Sequence, residues 1–215
     1  MKAAIFDLDG TLMDTEILWV KGTWQYLQQH GCALTYDELL GIVYGRSWRH
    51  VYSEIMQRCP SLGVTMPAME VALRQQIHAL RQAHGDIIIH SSVALLKRLA
   101  QDVPVCIVSG SPCADIADAV ERMGIGPDLQ FFIGAEEYGP GKPDPTCFLM
   151  AQERLGVAAK DCVVFEDSAA GVRAAKAAGM VCVGLARPGL PRQDLSPADW
   201  VVADLAALDP AALAR

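Results

Sequence analysis

The sequence predicts an α/β chain: a doubly wound parallel sheet with a block of helices inserted after its first strand. Three observations predict it. Short apolar runs rich in Val, Ile and Phe recur along the chain, as strands buried on both faces of a parallel sheet require. Helical patterns separate most of these runs, which is the strand–helix alternation of an α/β domain. Between residues 15 and 86 that alternation stops, and no convincing strand pattern is present.

The first strand is expected at residues 3–6, Ala-Ala-Ile-Phe, and it runs straight into Asp7-Leu8-Asp9-Gly10-Thr11. Helices are expected next over 17–30, 36–44, 48–59 and 66–83, with breaks at Gly31, Gly45 and residues 60–63. The sheet pattern then resumes. A helix is read at 93–99 with a serine available to cap it, and a strand at 104–108. The helix at 113–123 has Pro112 at a plausible first position. Strands follow at 131–134 and 162–165, and the helix at 169–178 is stopped by Gly179. Strands at 181–185 and 200–203 and a short helix after Asp204 complete the chain.

Composition narrows the function classes. The 215 residues are 52% hydrophobic, enough for one large domain or one domain carrying an insertion. A formal charge of −7 argues against a general nucleic-acid binder. It leaves room for a small anionic substrate, because a metal and a few Lys or Arg side chains make a site locally positive. No apolar stretch is long enough to span a membrane. The N-terminus enters a strand pattern at once, so no signal peptide is expected. The seven cysteines form no C-x-x-C pair and several sit inside apolar runs. Buried thiols in a reducing cytosol are therefore expected rather than disulfides or zinc, and with them a cytoplasmic location.

Four polar clusters stand at or shortly after strand ends: Asp7 and Asp9, Ser109-Gly110-Ser111, Gly141-Lys142-Pro143-Asp144-Pro145, and Glu166-Asp167-Ser168. Ligands of open α/β sheets bind beyond the carboxyl ends of the strands, so these clusters should converge on one crevice. Unpaired carboxylates are expensive to bury, and a packed core does not ask for them. The set suits phosphoryl transfer. Asp7 and Asp167, with Glu166, offer hard oxygen ligands to a divalent ion such as Mg²⁺. Glu166 is also open to a second reading, as a negative charge at the start of the next helix. Ser109 can present its hydroxyl to a phosphoryl oxygen, beside backbone N–H groups such as that of Gly110. Lys142 opposes the negative charge of the transition state. One carboxylate of the first cluster can then attack phosphorus while another transfers protons. Ser111 is read equally as a helix cap or a ligand.

These motifs, in this order and covering most of the chain, resemble the haloacid dehalogenase superfamily, in its helical-cap subgroup of sugar-phosphate phosphatases and β-phosphoglucomutase-like proteins. The resemblance implies a Rossmann-like catalytic core over residues 1–14 and 87–215 and a mobile helical cap over 15–86. It implies Asp7 as nucleophile and metal ligand, and Asp9 as acid/base, with its backbone carbonyl on the metal. Mg²⁺ is the implied cofactor and a small phosphate ester the implied substrate, with no nucleic-acid or membrane partner and a monomer or weak dimer as the expected state. Dehalogenases that attack carbon lack the second acidic residue present here as Asp9. The β-phosphoglucomutases carry His ten residues beyond that Asp, where this chain has Trp19. A Schiff-base hydrolase of the same group needs a cap lysine, and Lys21 is the one lysine in the inserted block. Relatives usually return from cap to core through Pro-Gly, where this chain has Ile89-His90-Ser91-Ser92.

The reading is thus a Mg²⁺-dependent phosphatase of small phosphorylated metabolites, with sugar phosphates first, working through an aspartyl-phosphate. Two rivals stand beside it: a phosphomutase, and a phosphometabolite-binding protein without turnover. Arg46, at a break between helices of the inserted block, is a candidate for substrate specificity and equally a solvated surface arginine. Trp19 and Trp48 are read as pocket lining or as core.

Overall fold

A computed structural model describes residues 1–46, 48–83 and 86–213. The strands are β1 (Ala3–Phe6), β2 (Val105–Val108), β3 (Phe131–Ile133), β4 (Cys162–Glu166), β5 (Val181–Leu185) and β6 (Trp200–Val202). They form a parallel six-stranded sheet in the order β3-β2-β1-β4-β5-β6. This order reverses beside β1, and an open sheet of this topology holds its crevice at that reversal, beyond the strand ends. The helices are α1 (Glu16–Gln29), α2 (Tyr36–Val43), α3 (Trp48–Arg58), α4 (Met66–Ala83), α5 (His90–Leu99), α6 (Cys113–Met123), α7 (Thr146–Leu155) and α8 (Ala169–Ala177).

The chain divides into two compact units, one of Met1–Met13 with Ile88–Arg215 and one of Asp14–Ile87. In the first, β1, β2 and β4 are buried along their whole length. Alternation along each strand sends side chains to both faces of the sheet. Ile5, Cys106 and Val164 share one face with Phe148 of α7 and Val172 of α8. Phe6 and Phe165, paired in register, stack their rings 4.4 Å apart. Met13 bridges to Ile88, and Ile89 N donates to Leu12 O at 2.9 Å.

The second unit has its own core, in which Leu18, Leu27, Leu39, Ile55, Met69 and Leu73 are buried. Thr35 opens α2 with a reciprocal cap, accepting from Glu38 N while Glu38 accepts from Thr35 N. Cys32, after α1, and Cys59, after α3, are joined in a disulfide with their Cα atoms 5.9 Å apart. This corrects the expectation of free thiols at those two positions; the packing of successive helices brings together residues that are 27 apart in sequence. Cys106, Cys147, Cys162 and Cys182 are free and buried, as read, and Cys113 is free and half-buried. Among the described residues no helix is long and apolar enough to cross a membrane.

Two further expectations need correction, and one helix stands where the sequence gives no expectation. Helix α7 was not anticipated by the sequence pattern, which marks the preceding Gly-Lys-Pro-Asp-Pro loop more strongly than the ten residues after it. Helix α5 starts at His90 behind Ile89, with no side-chain cap; Ser92 lies inside the helix and is buried. The helix expected after Asp204 is two separate 3-10 turns, Leu205–Ala207 and Pro210–Leu213. Asp204 and Asp209 each accept a backbone N–H two residues on, which turns the chain locally instead of propagating a helix. Residues 214 and 215 of that expected helix lie outside the described residues.

Candidate active site

Alternation along β1 and β4 fixes the first carboxylates. Asp7 continues the face of Ile5, and Glu166 the face of Val164. Lys142, from the loop between β3 and α7, reaches both. Its Nζ donates to Asp7 Oδ1 at 2.6 Å and to Glu166 Oε1 at 2.6 Å. It also donates to the Val108 carbonyl, at 3.1 Å, and stands 5.0 Å from the centre of the Phe148 ring. The other oxygen of Glu166 accepts from Ser168 N at 3.0 Å and from Ser168 Oγ at 2.9 Å. Ser168, not Glu166, caps α8, accepting from Gly171 N. Position 171 admits only glycine beside this arrangement, because a Cβ there would fall on the Glu166 carboxylate.

Asp167 is buried one residue beyond the strand, where Thr11 Oγ1 donates to it at 3.4 Å. Gly10 faces it with φ +88°, and a Cβ at Gly10 would overlap the Asp167 carboxylate. Gly10 is therefore required both by its left-handed backbone and by the approach of that side chain. Asp9 is held from the other side. Its Oδ2 accepts from Ser109 Oγ at 2.9 Å and from Ser111 Oγ at 2.6 Å, while Ser111 N donates to Ser109 Oγ at 2.9 Å. Ser111, left open between cap and ligand, thus holds Asp9; the cap position of α6 is Pro112. Gly110 is exposed.

The structure therefore brings Asp7, Asp9, Ser109, Lys142, Glu166 and Asp167 to the carboxyl ends of β1, β2 and β4. Sequence reasoning passed over Tyr138, whose hydroxyl donates to the Ser109 carbonyl at 2.9 Å. No motif marks it, since a lone aromatic residue in a loop has no pattern of its own. Arg46 belongs to the helical unit, exposed on the turn after α2, and its N–H donates to Val43 O. Trp19 and Trp48 are partly buried against the core of that unit, with ring centres 6.2 Å apart, and the Arg74 guanidinium stands 5.8 Å over Trp19. His90 is exposed at the start of α5.

Charge is out of balance at this rim. Burial pushes the Asp7 carboxyl well above the usual carboxylate range; Lys142 opposes this, while Glu166, Asp167 and Asp9 reinforce it. For Lys142, burial works against the charged form, but Asp7 and Glu166 outweigh it and hold the ammonium well above its ordinary value. One ammonium thus faces a cluster in which ligand oxygens of Asp7, Glu166 and Asp167, all buried, lie within 4.8 Å of one another. Such a set is all oxygen and short of positive charge, which fits a hard divalent cation.

Comparison with known proteins gives a consistent result. Residues 1–179 match the family model of the haloacid dehalogenase-like hydrolases. The chain is 31% identical over 185 residues to validoxylamine A 7'-phosphate phosphatase of Streptomyces hygroscopicus subsp. limoneus, covering 86% of this chain and 85% of that protein. It is 31% identical over 180 residues to hexitol phosphatase A of Escherichia coli, covering 83% and 80%. A crystal structure of a HAD family hydrolase from Deinococcus radiodurans R1, with bound phosphate and sodium, superposes with a TM-score of 0.78 at 27% identity, over 99% of this chain and 95% of that one.

Proposed function

The chain belongs to the haloacid dehalogenase-like hydrolases, and from that premise we propose that it is a Mg²⁺-dependent phosphatase of small phosphorylated metabolites, sugar phosphates first among them. The observation that carries the proposal is the position of Lys142, bonded at once to Asp7 and Glu166 beside a hydroxyl-held Asp9. A pure binding protein has use for the cation and the serines, but none for two carboxylates of different environment one residue apart. The substrate class is supported by relatives named phosphorylated carbohydrates phosphatase and hexitol phosphatase A.

In the proposed reaction an Asp7 oxygen attacks phosphorus and Asp9 gives a proton to the leaving alcohol, forming an aspartyl-phosphate. Asp9 then takes a proton from water, which attacks the same phosphorus and returns Asp7 to its carboxylate. Lys142 faces the charge that develops on the phosphoryl oxygens, and its own place is fixed by Glu166. Asp7 and Asp167, with the backbone carbonyl of Asp9, would hold Mg²⁺, which when bound offsets the negative charge of carboxylates and phosphate. Glu166 completes the acidic cluster, but its oxygens are engaged with Lys142 and Ser168, and we assign it to holding the lysine. The helical unit would serve as a cap that excludes bulk water and selects the leaving group, with Arg46 a candidate contact.

A panel of sugar phosphates, phosphoglycolate, nucleotides and pyrophosphate tests this. Release of inorganic phosphate from at least one sugar phosphate is expected with Mg²⁺, and its loss with EDTA. Release from none of them, or isomerisation of a sugar phosphate without release, overturns the proposal.

A further inference from the structure

Strand β2 ends in two peptides whose directions are fixed by their partners. Ser109 N donates to Ile133 O of β3 at 3.1 Å. The N–H and C=O of a trans peptide point opposite ways, so the Val108 carbonyl faces away from β3, where Lys142 Nζ meets it at 3.1 Å. The next carbonyl, that of Ser109, accepts from the Tyr138 hydroxyl at 2.9 Å. The Ser109–Gly110 peptide is also trans, so the Gly110 N–H is turned away from Tyr138. Successive peptides along a strand alternate in direction, and the alternation of β2, continued through Ser109 as the next residue after the strand, turns the Gly110 N–H to the side where Lys142 meets the Val108 carbonyl and Asp7.

Tyr138 is firmly placed. Its backbone is extended and its ring packs against the sheet core. The residues before it are tied down: Glu136 accepts from Cys113 N at 2.9 Å, and Glu137 accepts from Gly134 N at 3.2 Å and from Arg154 at 2.8 Å. Burial pushes its phenol up to about 12, so it remains a proton donor at neutral pH. Ser109 is fully buried, so its carbonyl has little access to water as an alternative partner. A peptide turned over at this point would exchange a donor for an acceptor on the side of Lys142 and Asp7.

We propose that Tyr138 is a positioning residue, which by holding the Ser109 carbonyl keeps the Gly110 N–H aimed at a phosphoryl oxygen. The inference rests on the phosphatase reading above. One loop then sets two parts of the phosphate grip, Tyr138 through a peptide and Lys142 through its charge.

The test compares Tyr138→Phe with wild type in phosphate release and in calorimetric binding of inorganic phosphate with Mg²⁺ present. A fall of about tenfold is expected in kcat/KM for every ester hydrolysed, whatever its leaving group, with a matching loss of phosphate affinity. The unfolding midpoint should fall only by what one unpaired buried carbonyl costs, and the Mg²⁺ concentration for half-maximal rate should stay near wild type, which a general loosening of the site would not predict. In a Ser109→Ala background the effect of Tyr138→Phe should shrink, because the Ser109 hydroxyl, through Ser111 N, fixes the same turn that Tyr138 holds by the Ser109 carbonyl. A folded Tyr138→Phe protein with wild-type kcat/KM and phosphate affinity overturns this inference alone. A wild-type protein that neither hydrolyses any ester nor binds phosphate overturns the phosphatase reading and this inference with it.

Discussion

Asp7, Asp9, Glu166 and Asp167 bring four carboxylates to one rim, and Lys142 is the ammonium that joins two of them. Its removal leaves Asp7 and Glu166 buried without that partner. Lys142→Met should cost about 3–5 kcal/mol of stability in the metal-free protein at neutral pH, the usual result of breaking a buried pair. Turnover should fall by at least about a hundredfold. Denaturant unfolding and phosphate release measure the two effects, and a Met variant of wild-type stability would mean that the contact is not an energetic one. Most of these residues were legible because they are chemically out of place: carboxylates and a lysine directly after apolar strands have few bland explanations. What the sequence left open at Glu166 and Ser111 was a matter of direction. Each sits beside a helix start, where capping and site contacts draw on the same residue types, and only the fold decides between them. Tyr138 had no such signal, since its partner is a backbone carbonyl 29 residues away.

At the scale of elements, the strands were readable because β1, β2 and β4 are fully buried and so apolar without interruption. Helix α7 was hidden because its buried positions, Cys147, Phe148 and Ala151, include small or weakly apolar residues that blur the helical period. The Cys32–Cys59 bond was beyond sequence reasoning, since spacing alone cannot tell which thiols meet. It closes a segment holding α2 and α3, and Cys32→Ser should cost about 2–4 kcal/mol in the stability of the helical unit. Urea unfolding of that variant should match wild type unfolded with dithiothreitol; equal stability of oxidised and reduced wild type would contradict it. On the sheet side, Asp199 ties the approach to β6 onto β5, accepting from Lys176 Nζ at 2.6 Å and from Cys182 N at 2.8 Å. Burial raises its carboxyl, but those two donors more than offset this and hold it below the ordinary value. A depressed carboxyl stabilises the fold above its unfolded value of about 3.9 and loses that contribution as pH falls through the folded value. Asp199→Asn should therefore be less stable than wild type by about 1 kcal/mol near pH 6, allowing for solvent screening, with the gap closing below about pH 3. A gap unchanged across that range would show that the charge contributes nothing.

At the scale of the whole chain, the sequence carried the order of the motifs and the interruption of the sheet pattern by helices. It could not carry distances. Residues as far apart as Asp7 and Lys142 meet because parallel strands with helical crossovers return each strand end to the same edge. The helical unit is where legibility stops. Arg46, Trp19 and Trp48 lie in it, and no spacing rule orients their side chains. The central claim is narrower than substrate choice: a phosphoryl group passes through Asp7. Single-turnover reaction with a hydrolysed sugar phosphate, quenched and reduced with borohydride, converts an acyl phosphate into the corresponding alcohol at the residue that carried it. Peptide mass spectrometry should find that conversion at Asp7 and nowhere else, and Asp7→Asn should abolish both the mark and the turnover. Phosphate release at full rate with Asp7 unmodified, or with the mark on another carboxylate, would contradict the account.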